Sequence, residues 1–195
     1  MSKRRFLVPA LALLFVAAPA LRAINVPRPS PEFAISLNNG QQVQLSQYKG
    51  KVVVVAFILT WCTHCQTVVG LLIQDQKLYG PRGFQVLASA IDDDATAKVP
   101  GFIKQFNPPF PVGFNNPREA IDYLEHPHML TPHMPILAFI DRQGVIRAQY
   151  EGDDKFFGED QREKNLRAKI EELLKEAAPG AKPGVAKKSA AAPKK

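Results

Sequence analysis

"KVVVVAFILTWCTHCQTVV", Lys51 to Val69, holds both cysteines of the 195-residue chain at the junction of two hydrophobic patterns. From Val52 to Leu59 the run is apolar without alternation, as expected of a strand buried on both faces of a sheet. Beyond it Cys65, Val68, Val69, Leu72 and Ile73 recur at intervals of three and four, which makes one face of a helix. Cys62 and Cys65 therefore sit where a buried strand turns into a helix.

That position bears on their chemistry. A disulfide across two intervening residues closes so short a loop that it removes little unfolded-state entropy, which makes it a poor staple. A structural zinc site wants four ligands, and there is no second cysteine pair. Covalent haem attachment needs a histidine after the second cysteine, where Gln66 stands. A redox pair suits the place, because a helix start presents unpaired N–H groups and partial positive charge that favour a thiolate. Cys62, at the start, is the expected attacking sulfur, and Cys65, one turn in on the apolar face, the resolving one. His64 is expected to add positive charge or a hydrogen bond near Cys62.

Working outward, "EFAISLNNGQQVQLSQY" alternates around Asn38-Asn39-Gly40, the pattern of a hairpin whose turn tolerates positive φ. Before it, "INVPRPSP" carries three prolines in eight residues and reads as an extended lead-in with little to bury, so folding is expected to begin near Glu32. "FQVLASAI", Phe84 to Ile91, is a second strand, followed by Asp92-Asp93-Asp94 as a cap for a helix through Phe106. "PILAFI" from Pro135 is a third strand, Asp141 to Gly144 a tight turn, and "VIRAQY" an antiparallel return. A last helix from about Gln161 shows Leu166, Ile170, Leu173, Leu174 and Ala177 on one face.

These segments together, "FAISLNNGQQVQLSQYKGKVVVVAFILTWCTHC" with "PILAFIDRQGVI" downstream, resemble the thioredoxin superfamily and within it the exported TlpA/ResA-like thiol–disulfide oxidoreductases. The resemblance runs from about Pro31 to about Leu174. It implies an α/β thioredoxin-like fold: a mixed central β-sheet flanked by helices, with an N-terminal β-hairpin extension. It further implies that Pro135 is a cis-proline facing the cysteines, that Met134 and Pro135 hold the backbone of an incoming chain, and that Trp61 packs beside the site. No organic cofactor is implied, and the partners would be protein thiols or disulfides and a membrane or envelope redox protein.

The departures from the family are specific. The buried acid often found under the resolving cysteine is replaced by Ala56, and the acidic position of the ResA-like branch, three residues after Cys65, by Val68. Proton transfer from Cys65 then needs another group or water. Thr63-His64 stands where thioredoxin has Gly-Pro, and a histidine before the second cysteine resembles the oxidising members of the superfamily. A peroxiredoxin motif is lacking, since no proline precedes Cys62 in the strand.

"HPHMLTPHM", His126 to Met134, gathers three of the four histidines and both methionines besides Met1. Cys62, Cys65, His133 and Met134 make a donor set suited to soft Cu(I), so a Sco-like copper-delivery protein is the alternative function. His126 and His128 read as solvated loop residues that bind nothing.

The ends complete the reading. "MSKRRFLVPALALLFVAAPALRA", residues 1–23, pairs Lys3, Arg4 and Arg5 with an apolar run too short to span a bilayer comfortably, and reads as a signal peptide for export to the periplasm or cell envelope, with an uncleaved anchor as the alternative. Residues 24–178 form the thioredoxin-like domain, and 179–195 a disordered basic Ala/Lys/Pro tail. The net charge of +7 belongs to these ends: four basic residues in the leader and five lysines in the tail leave −2 between them. A nucleic-acid groove on the body is therefore not expected, and a monomer is.

Overall fold

The computed structural model describes residues 25–176; the leader, the tail and Ala177 lie outside the described residues. Eight strands form one sheet: β1 (Arg28–Pro29), β2 (Ala34–Ser36), β3 (Gln42–Gln44), β4 (Val52–Ile58), β5 (Phe84–Ala90), β6 (Val112–Phe114), β7 (Ile136–Ile140) and β8 (Val145–Tyr150). Their spatial order is β1-β8-β7-β4-β5-β6-β2-β3. β4, β5 and β6 run parallel, and the other neighbours are antiparallel.

Every residue of β4 is buried because alternate side chains enter two cores. Val52, Val54, Ala56 and Ile58 pack with α1 (Thr63–Tyr79), α2 (Ala95–Phe106) and α4 (Arg162–Leu174) on one face. Val53, Val55 and Phe57 pack with Ala120 and Tyr123 of α3 (Pro117–Tyr123) and with Phe33, Ile35 and Val43 of the hairpin on the other. An uninterrupted valine run is the pattern this double burial demands.

The hairpin pairs β2 with β3 about Gly40, at φ 80°, as its alternation predicts. It meets the remaining sheet through one pairing, Ser36 with Phe114, where Gly113 lets the strands close. Its turn has a second attachment. Pro100 lies inside α2 and offers no N–H to the Thr96 carbonyl one turn back. The Asn38 side chain donates to that carbonyl instead, at 2.7 Å.

Two expectations are corrected. The proline-rich lead-in is structural from Arg28 onward: β1 pairs with β8, Arg28 is buried with Nη2 donating to the Tyr123 carbonyl at 2.9 Å, and Ser30 N–H bonds the Gly144 carbonyl. Folding does not wait until Glu32, because a paired backbone needs no apolar side chains to be held. At the start of α2, Asp94 occupies the N-cap position but makes no cap bond and pairs with Lys98 at 2.9 Å.

α1 and α4 enclose Asp75, 1% exposed, whose Oδ1 accepts from Arg167 Nε at 3.1 Å while Oδ2 has no hydrogen-bond partner among the described residues. Burial pushes the Asp75 carboxyl above its ordinary value, and Arg167 offsets this only in part. The folded state then holds the proton more tightly than the unfolded chain, so this group's contribution falls as pH rises from about 3.9 through the raised value. In urea titrations, Asp75→Asn should gain stability relative to the parent between pH 4 and pH 7, since Arg167 keeps Glu163 as a partner at 2.7 Å. A constant difference between the two proteins across that range would contradict this.

Candidate active site

β4 delivers the chain to the cysteines, and Cys62 is the N-cap of α1. Its backbone is extended (φ −75°, ψ 116°), and its Sγ accepts the Cys65 N–H at 3.2 Å, doing for the first turn what a capping hydroxyl does elsewhere. Both cysteines are free thiols here; Cys62 is half-buried and Cys65 wholly buried. Burial, then the hydrogen bond to Cys62, push the Cys65 thiol far up, against a smaller opposing effect of the Leu59 backbone. Ala56 and Val68 are both wholly buried, so neither position supplies a polar group beneath Cys65.

The loop ahead of Cys62 is tied by two side chains that the sequence reading did not single out. Thr60 N–H donates to both carboxylate oxygens of Asp92, at 3.1 and 2.9 Å, and the Thr60 carbonyl accepts from Gln66 Nε2 at 2.9 Å. Asp92 follows β5, the parallel neighbour of β4, so the sheet sets its carboxylate beside the loop. Three consecutive aspartates gave no sign of which would turn inward. Trp61 stands 64% exposed on the outer side of this loop.

His64 is the second residue of α1. Its ring packs edge-on against Phe157, centroids 5.4 Å apart, and burial together with Arg162 pushes its pKa down. Both effects favour the neutral imidazole, and the start of α1 adds its own partial positive charge beside Cys62.

The Met134–Pro135 bond is cis. Phe57 pairs with Ile136, so Pro135 lies one residue beyond the paired segment, beside the end of β4 that leads to Cys62. Met134 is half-buried and packs against both cores, one of which includes Cys65 and has Cys62 packed against it.

The three histidines of the preceding loop do not converge. His126 Nε2 lies 3.3 Å from Glu151, His128 Nε2 3.0 Å from Asp122 and His133 Nε2 3.7 Å from Asp153. His126 is buried rather than solvated, a correction that apolar periodicity in a proline-rich loop could not reveal. Among the described residues no group of three or more histidine, cysteine, aspartate or glutamate side chains is placed to hold a metal ion, so Cys62, Cys65 and His133 are not gathered as the copper alternative requires.

A family model described as Redoxin matches residues 26–168. The thiol-disulfide oxidoreductase ResA of Bacillus thuringiensis subsp. konkukian is 24% identical over 156 residues, 80% of each chain. ResA of Bacillus subtilis is 29% identical over 93 residues, 48% of this chain and 51% of that one. Among solved structures, a Chlorobium tepidum protein assigned as the thiol:disulfide interchange protein DsbE superposes with a TM-score of 0.66 and 26% identity, covering 78% of this chain and 99% of that one.

Proposed function

The chain belongs to the redoxin family and is a TlpA/ResA-like thiol–disulfide oxidoreductase of the thioredoxin superfamily, and from that premise we propose that it exchanges disulfides with protein substrates through Cys62 and Cys65. The observation that carries this reading is the half-buried Cys62 sulfur, at a helix N-cap and accepting the Cys65 N–H, beside a wholly buried second thiol.

In the reducing direction the Cys62 thiolate attacks one sulfur of a substrate disulfide. The substrate S–S bond breaks, one substrate thiolate leaves, and a mixed disulfide to Cys62 forms. Cys65 then loses its proton and attacks the Cys62 sulfur, expelling the second substrate thiolate and leaving the Cys62–Cys65 disulfide. Two electrons have passed to the substrate, and a membrane or envelope redox protein restores them; the oxidising cycle is the reverse. Met134 and Pro135 hold the substrate backbone beside Cys62, and Trp61 offers an exposed apolar face at the mouth of the site. The protein works as an exported monomer in the periplasm or cell envelope, delivered there by residues 1–23, without an organic cofactor. His64, packed edge-on against Phe157 on the first turn of α1, is the residue we assign to tuning the Cys62 thiolate.

Cys65→Ser should accumulate mixed disulfides between Cys62 and its substrates, visible on non-reducing gels and released by dithiothreitol. In the parent protein, resolution of such a species should accelerate about tenfold per pH unit without a plateau near neutrality, because the raised Cys65 pKa leaves only a small thiolate fraction there. Absence of trapped species would remove the mechanism. A reduction potential near about −270 mV would mark a reductase and one near about −120 mV an oxidase.

A further inference from the structure

We propose that His126 and Glu151 form a brace, outside the exchange site, that sets the His133–Met134 backbone and through it the affinity for protein substrates; this rests on the reading of Cys62 and Pro135 given above. The brace begins with a buried ring. His126 leaves α3 after Glu125, which adopts a left-handed φ of 51°, and its N–H bonds the Ile121 carbonyl. Its side chain is 3% exposed. Nε2 lies 3.3 Å from Glu151 Oε1, and Nδ1 has no hydrogen-bond partner among the described residues. A ring so placed can donate from Nε2, which fixes one oxygen of Glu151.

The other oxygen, Oε2, accepts the His133 N–H at 3.3 Å. Glu151 directly follows β8, a strand locked in the sheet against β7, so the carboxylate is presented from a rigid element. The next residue tightens the same contact. Gly152 N–H donates to the His133 carbonyl at 2.7 Å, and Gly152 lies so close to the Met134 carbonyl that a Cβ could not be added without moving backbone. Thus both backbone polar groups of His133 are bound by consecutive residues, Glu151 and Gly152. Met134, which is joined to Pro135 by the cis bond, is left little freedom.

Neither His126 nor Glu151 belongs to the cysteine site, so each is a positioning residue. Loosening the brace should weaken capture of an extended polypeptide and leave the chemistry of Cys62 untouched. A small aromatic disulfide, which needs no backbone alignment, separates these effects.

The test uses the full chain with two substrates, insulin in the presence of dithiothreitol and 5,5′-dithiobis(2-nitrobenzoate). For Glu151→Ala, KM for insulin should rise about tenfold, as expected for loss of hydrogen bonds to a charged group, with kcat and the rate on the small disulfide within about twofold of the parent. His126→Phe, which keeps the ring volume, should follow it, and Glu151→Gln, which retains one acceptor oxygen, should restore part of the affinity. Equal losses on both substrates, or an unchanged KM for insulin in both Glu151 variants, would overturn the brace. If Glu151→Ala does not fold, Glu151→Gln and His126→Phe decide by the same ratio of substrates. A parent protein inert toward the small disulfide would instead overturn the cysteine mechanism on which the brace depends.

Discussion

Cys62→Ser will fold normally and lose thiol–disulfide exchange by on the order of 10³-fold or more, to the level of the uncatalysed reaction. The two halves of that result have separate causes. Serine is among the best N-cap residues, and its Oγ can accept the Cys65 N–H that Cys62 Sγ now accepts at 3.2 Å. The helix start is therefore kept, and thermal unfolding should be within a few degrees of the parent. The hydroxyl, in contrast, is not ionised near neutral pH and cannot form the mixed disulfide that exchange requires. Insulin reduction and the reaction with a small aromatic disulfide should vanish together. Retained activity, or collapse of the fold, would refute the assignment of Cys62 as a solvent-reachable nucleophile capping α1. Cys62→Ala is a useful companion, since it also removes the cap and should cost about 1 kcal/mol of stability besides the activity.

Gly113→Ala should be the most damaging single-methyl change in the sheet. Gly113 pairs with Ser89 in the parallel sheet while the hairpin crosses close by. A Cβ at position 113 would run into the Ser36 carbonyl oxygen and approach the Ile35 side chain within 2.7 Å. The first obstacle is backbone and the second a fully buried side chain, so neither can yield cheaply. Overpacking of this sort costs about 1–3 kcal/mol or more. The lowest-cost response is separation of β2 from β6, which uncovers Phe33, Ile35 and Val43 on that face. Urea denaturation should give a reduced midpoint, and binding of a hydrophobic dye should rise before the main transition. An unchanged midpoint would mean that the strands can spread without loss of packing.

The parts of the molecule legible in its sequence are those where one pattern decides the outcome. Double burial of β4 requires an apolar run, and Val52 to Leu59 supplies one. The turn at Asn38 to Gly40, the Asp141 to Gly144 turn and the buried stripe of α4 each carry residues that few other conformations would favour. β6 and α3 escaped notice because three strand residues and seven helical ones are too short for a period to emerge. The site divides along the same line. Cys62 and Cys65 stand out by spacing and Pro135 by the family resemblance, whereas Asp92, Gln66 and Glu151 act through hydrogen bonds to backbone groups that no sequence pattern marks. Position alone suggested that His64 lends charge or a hydrogen bond to Cys62; its environment, which favours the neutral ring, is set by Phe157 and Arg162, about a hundred residues on.

The sheet ends, on either side, in almost nothing. β1 is two residues long and includes Pro29, whose nitrogen carries no hydrogen, and β3 is three residues long with exposed glutamines on both sides of Val43. A stray β-segment from another molecule would find barely a rung to extend at either margin. For a protein proposed to grip incompletely folded chains, this brevity keeps such guests from annealing onto the valine-rich centre and seeding aggregates.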